Sequence, residues 1–186
     1  MSGLELFFVA IGLSMDAFAV AICLGLSGGA QTKTHSYTVG AYFGFFQAAM
    51  PLLGYLIGSQ FAKYITAIDH WIIFILLLAI GVNMIQESRH EECTVVEDLS
   101  FGKMLPLAIA TSIDALAVGI SFAFLHVPIF TAIGFIGIIT FALSTFGTRI
   151  GQTFGSKFKS RAELCGGILL VAMGTKILLE HLQLWF

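Results

Sequence analysis

Apolar residues run along this chain in six long stretches, separated by short polar ones. The stretches cover roughly Leu4–Leu26, Tyr37–Gly58, His70–Ile85, Met104–Leu125, Ile129–Ile150 and Leu164–Leu182. A helix needs about 20 residues to cross the ~30 Å hydrocarbon core of a bilayer, so the pattern predicts six transmembrane helices, the third of them short. Polar connectors at Gln31–Ser36, Ser59–Asp69, Glu87–Lys103, His126–Pro128 and Gln152–Glu163 separate them. None has room for a second domain, so residues 1–186 read as a single transmembrane domain. The first stretch has no basic leader, runs past signal-peptide length and is interrupted by Asp16, so it reads as a retained span.

The pattern also repeats itself. Ser14-Met15-Asp16-Ala17-Phe18-Ala19-Val20 in the first stretch is echoed by Ser112-Ile113-Asp114-Ala115-Leu116-Ala117-Val118 in the fourth. Gly54 to Gly58 in the second parallels Gly151 to Gly155 after the fifth, and Gly81 and Glu87 align with Gly174 and Glu180. The halves are about residues 1–88 and 101–186, joined by an acidic connector at about 87–103. Three spans per half is an odd number, so the halves insert in opposite orientations, an arrangement common among secondary transporters. The expected fold is all-α integral membrane, with six transmembrane helices as two inverted three-helix repeats.

Composition agrees with a bilayer as solvent. The chain is 58% hydrophobic and 11% charged, against about 25% charged in ordinary soluble domains. Its net charge of −2, without any basic stripe, argues against a nucleic-acid partner. Cys23, Cys93 and Cys165 are too scattered to imply a disulfide framework or a zinc cluster. Lys33, Arg89, Lys103, Lys157, Lys159 and Arg161, with Arg149 at the edge, fall on the first, third and fifth connectors, whereas the other two carry only Lys63. Basic loops stay in the cytoplasm. Both termini are therefore expected on the extracytoplasmic side of a cell (inner) membrane. The pairs Gly40/Gly44, Gly54/Gly58 and Gly151/Gly155 suit close helix crossings; a homodimer would use these glycine faces or an outer aromatic surface.

Asp16 and Asp114 are the costly residues. A charge at bilayer depth costs about 2.5–3.5 kcal/mol on insertion scales, and intramembrane carboxylates are read as functional by default. Facing each other across a pseudo-two-fold axis, two aspartates neutralise a divalent cation. When the cation leaves, their mutual repulsion favours a proton in its place, which gives a physical basis for metal/proton exchange. The competing structural reading has each aspartate capping a broken helix or pairing with a buried base, for which only Lys176 and Arg149 are available.

Further oxygen donors lie close by in sequence. Gln47 in the second stretch and Asn83 in the third are costly to bury and are candidate metal ligands beside the aspartates. Ser14, Thr111, Ser112, Ser144 and Thr145 are supporting candidates, although membrane Ser and Thr commonly bond their own helix. His35, His70, His90, His126 and His181 sit at span ends or in connectors. A site of carboxylate, amide, hydroxyl and water oxygens suits Mn²⁺, Mg²⁺ or Ca²⁺ better than soft ions. The acidic run His90-Glu91-Glu92-Cys93 to Asp98 reads as a solvated loop, or as a collector of cations on the cytoplasmic side.

On the two aspartate motifs and Pro51-Leu52-Leu53-Gly54 the chain resembles the MntP-type bacterial manganese efflux pumps, distant relatives of the lysine-exporter superfamily, over essentially its whole length. The resemblance implies export of Mn²⁺ as the transported substrate, with no resident cofactor, through a site containing Asp16 and Asp114. In that family the position of Gln47 can be acidic and that of Asn83 is often basic, so the site here carries less charge. A cationic amino-acid exporter is the alternative from the wider superfamily. An intramembrane aspartyl protease also uses two membrane aspartates, but its Gly-x-Gly-Asp motif is replaced here by Ser-x-Asp in both copies.

Overall fold

Long apolar runs in lipid can satisfy their backbone groups only as helices or closed barrels, and this chain takes the helical solution. The structure, a computed structural model, describes residues 3–27, 33–61, 69–89, 101–125, 127–154 and 157–183. They form α1 (Gly3–Ser27), α2 (Lys33–Phe61), α3 (Asp69–Glu87), α4 (Phe101–Phe124), α5 (Ile129–Phe154) and α6 (Lys157–Gln183), with no strand among the described residues. Among the described residues, four helices contain stretches long and apolar enough to cross a membrane: Gly3–Gly25, Thr34–Gln60, Met104–Phe124 and Ile129–Gly151. The apolar parts of α3 and α6 are shorter, Leu77–Gln86 and Leu164–Lys176.

Helix α6 begins earlier than its apolar run. The polar stretch from Lys157, expected as a connector, is helical, because Lys, Arg, Glu and Ala favour a helix whatever their hydropathy. The acidic run from His90 to Asp98 lies outside the described residues.

Glycines set how the helices meet. Gly147 lies against Phe18 and Gly151 against Ile22, so α5 runs alongside α1 in the same direction. Gly54 meets Leu116 and Gly58 meets Ile120, so α2 and α4 are likewise parallel. Gly119 of α4 in turn accommodates the backbone of Pro51, the proline inside α2. The α2–α5 crossing is antiparallel, with Gly40 beside Thr145 and Gly44 beside Gly137 and Phe141. Antiparallel too are α3 and α6, where Gly81 faces Gly167 and Gly174 faces Phe74 and Leu77.

The same helix pairs bury the core. Leu6, Val9, Leu13, Leu77, Met84, Val118, Phe122, Ile136 and Leu170 form one cluster across five helices. Ala17, Leu24, Val39, Phe43, Met104 and Ala108 form a second. Large apolar side chains also point outward, with Phe130 79%, Ile138 72% and Phe45 68% exposed. Water would penalise such a surface, whereas acyl chains solvate it.

One seam breaks the balance of the bundle. α1 packs closely on α6, with Gly12 against Leu169 and Leu170 and Gly166 against Met15. α3 makes only slight contact with α4 among the described residues. The scattered cysteines implied no disulfide framework, yet Cys23, buried on α1, is disulfide-bonded. Cys165 on α6 is a free, exposed thiol.

Candidate functional site

The parted seam between α3 and α4 leads to the aspartates. Asp16 and Asp114 each lie thirteen residues beyond the first residue of their helix, about 20 Å along the axis and so midway along α1 and α4. Both line one cavity of about 330 Å³, together with Val20 of α1, Asn83 of α3, and Leu107, Ala110, Thr111 and Ile113 of α4. Leu107, Ala110, Thr111 and Asp114 follow the i, i+3, i+4, i+7 spacing of one helix face, so α4 turns a continuous stripe to the cavity. From the aspartates the cavity extends toward Val20 and Leu107, that is, toward the C-terminal end of α1 and the N-terminal end of α4.

The cavity wall holds two carboxylates, one amide and one hydroxyl, a set of oxygen donors suited to a hard divalent cation. Among the described residues no three His, Cys, Asp or Glu side chains cluster, so beyond the two aspartates the oxygen donors at this cavity are neutral. Lys176 and Arg149, the two bases considered as partners of the aspartates, each have a partner away from the cavity. Lys176 Nζ donates to Glu5 Oε1 at 2.7 Å. The Arg149 guanidinium stands 5.6 Å over the ring of Tyr37 and donates to its hydroxyl at 3.4 Å. Neither residue lines the cavity.

Of the remaining sequence candidates, Asn83 and Thr111 reach the cavity and the others do not. Gln47 is fully buried, and its Nε2 donates to the Leu13 carbonyl of α1 at 2.8 Å. Ser14 donates to Ala10 O at 2.6 Å and lies 2.7 Å from the Thr140 hydroxyl, tying α1 to α5. Ser112 bonds Ala108 O at 2.7 Å, within its own helix. Ser144 Oγ, Thr145 Oγ1 and Gln47 Oε1 are buried without a hydrogen-bond partner, at about 1–3 kcal/mol each. Sequence reasoning missed the apolar walls Val20, Leu107 and Ala110. The stripe spacing upstream of Asp114 was the signal that could have found them.

The Gln47 bond predicts a separable phenotype. Gln47→Met keeps the volume and removes the donor. It is expected to lower stability by about 0.5–1.5 kcal/mol, read as a lower thermal midpoint, while leaving cation affinity at the cavity unchanged. A large loss of affinity would instead place Gln47 in the site.

An all-helical bundle with several long apolar helices and outward-facing apolar residues is that of a multi-pass membrane protein, and its relatives place it among transporters rather than enzymes. Residues 30–178 match the family model described as "Putative manganese efflux pump", and the chain belongs to that family. It is 57% identical over 183 residues to a protein of Desulfitobacterium hafniense (strain Y51), covering 98% of this chain and 97% of that one. A protein of Acetivibrio thermocellus is 54% identical over 185 residues, covering 98% and 93%. One from Campylobacter jejuni (strain RM1221) is 53% identical over 180 residues, covering 96% of each. All three are named "Putative manganese efflux pump MntP". No solved structure matches the chain.

Proposed function

We propose that this protein exports Mn²⁺ from the cytoplasm by alternating access, and that Asp16 and Asp114 hold the ion at mid-membrane. The observation that carries the reading is the cavity shared by both aspartates, open along the α3–α4 seam. Asn83 and Thr111 add neutral oxygens, and water completes the shell of an ion that must leave again, so binding is modest.

The topology in this reading is six spans, arranged as inverted repeats of about 1–88 and 101–186 within one transmembrane domain. Paired contacts support it. Gly54 on Leu116 is matched by Gly147 on Phe18, Gly58 on Ile120 by Gly151 on Ile22, and the antiparallel α2–α5 and α3–α6 crossings each bring a helix against its own counterpart. The basic first, third and fifth connectors put both termini outside and the open end of the cavity on the cytoplasmic side of the inner membrane. The ion enters between α3 and α4, the carboxylates neutralise it, and closure of that seam with opening of α1–α6 releases it outside. Protons compete for the same carboxylates and help empty the site.

Purified protein in proteoliposomes tests this directly. The expected result is Mn²⁺ flux well above protein-free vesicles, slowed by competing hard divalent cations and untouched by excess free lysine. Flux at the protein-free rate, or displacement of Mn²⁺ by lysine, contradicts the reading.

A further inference from the structure

The stripe that lines the cavity on α4 has a counterpart on α1 that is covered. Displaced by one repeat, Leu107, Ala110, Thr111 and Asp114 correspond to Val9, Gly12, Leu13 and Asp16. Val9 and Leu13 are each 1% exposed, and Gly12 lies against Leu169 and Leu170 of α6. The space equivalent to the cavity is therefore filled by α6. At the far end of this covered seam, Lys176 of α6 binds Glu5 of α1, whose side chain is only 11% exposed.

The matching positions of the parted seam cannot form such a pair. The repeat counterparts of Glu5 and Lys176 are Lys103 and Asn83, a cation and a neutral amide. Opposite charges join α1 to α6, and none can join α4 to α3 at the matching positions. Glu5 is 11% and Lys176 49% exposed, so solvent screens the pair in part, yet a pair at one set of matching positions and not at the other still shifts the balance between two otherwise similar arrangements.

We propose that the Glu5–Lys176 ion pair is the latch that keeps α6 closed on α1 and so holds the protein with its aspartate cavity open between α3 and α4. This rests on the alternating-access reading above and adds to it the residues that set the resting state. Opening the α1–α6 seam requires the pair to part. Once parted, Lys176, the counterpart of the cavity residue Asn83, faces the newly opened space, where its positive charge disfavours return of the released cation.

The test uses full-length protein in lipid nanodiscs, with Glu5→Gln, Lys176→Met and the swapped pair Glu5→Lys with Lys176→Glu. In a Cys165→Ala background, Val9→Cys reports the covered seam and Leu107→Cys the open one, through reaction with a water-soluble methanethiosulfonate. Glu5→Gln or Lys176→Met is expected to raise labelling at Val9→Cys and lower it at Leu107→Cys, each on the order of fivefold, the scale of one partly exposed ion pair. The swapped pair is expected to restore the original ratio. Hydrogen exchange over residues 164–176 of α6 asks the same question without added cysteines, and should quicken in the single variants and slow again in the swap. Unchanged exchange and labelling in the single variants, faster exchange in every helix alike, or a swap no better than the single variants each overturns the latch. A seam shift without any Mn²⁺ transport by the wild type keeps the latch and removes the assigned substrate instead.

Discussion

Asp16→Asn and Asp114→Asn are each expected to reduce Mn²⁺ flux by about a hundredfold or more while leaving the protein folded. Each substitution keeps the shape of the side chain and removes one of the two negative charges that line the cavity. Breaking a desolvated charge assembly by removing one partner costs about 3–5 kcal/mol, and a doubly charged ion facing one carboxylate loses its neutralisation. The double variant should be scarcely worse than either single one, because the two groups act as a unit. Initial rates in proteoliposomes, with thermal midpoints measured alongside, provide the check. Normal transport by both single variants would make the aspartates structural.

The second large effect concerns assembly rather than transport. A Cβ added at Gly54 would collide with the Leu116 carbonyl oxygen, at Gly119 with that of Pro51, and at Gly151 with that of Ile22. Backbone cannot move aside as a flexible side chain can. Gly→Ala at each of these positions is expected to cost about 1–3 kcal/mol, the range of overpacking penalties. Gly→Leu should leave little monodisperse protein after detergent extraction. Gly134→Ala is the control, since nothing lies within 4 Å of its added methyl; replacing an unconstrained helical glycine should stabilise by about 0.5–1 kcal/mol. Equal losses at Gly134 and Gly54 would show that close approach is not what these glycines provide.

Much of this organisation was legible in the chain because a bilayer leaves few choices. Hydropathy placed all six helices within a few residues, except where polar helix-formers carried α6 back to Lys157. The two aspartates announced themselves by their cost, and both line the same cavity. Asn83 and Gln47 show the limit of that logic. Both are amides deep in a span, yet one faces the cavity and the other is spent on the Leu13 carbonyl. Which of these happens depends on how α1, α2 and α3 rotate against their neighbours, and a residue's own hydropathy carries no record of that rotation. The serines were harder still, because a hydroxyl bonded to its own helix and one lining a cavity look identical in sequence. Lys176 could be read as a stray intramembrane base until its partner Glu5, 171 residues away, was in view.

On the proposed inverted-repeat topology, the covered α1–α6 seam and the parted α3–α4 seam bear on how direction arises in transport. Perfect copies inserted upside down would make the inward and outward forms equal in energy and related by a two-fold rotation, and such a molecule would have no preferred resting face. Any preference has to come from positions where the copies have drifted apart. Gly12 against Ala110, Leu13 against Thr111, and Lys176 against Asn83 are such positions, all of them on the two seams. A difference of ~1.4 kcal/mol between the forms is enough for a tenfold bias, so a few differing positions suffice to give such a carrier a resting side. Homogenising those positions between the halves should produce a protein that still moves its ion but waits on neither side of the membrane.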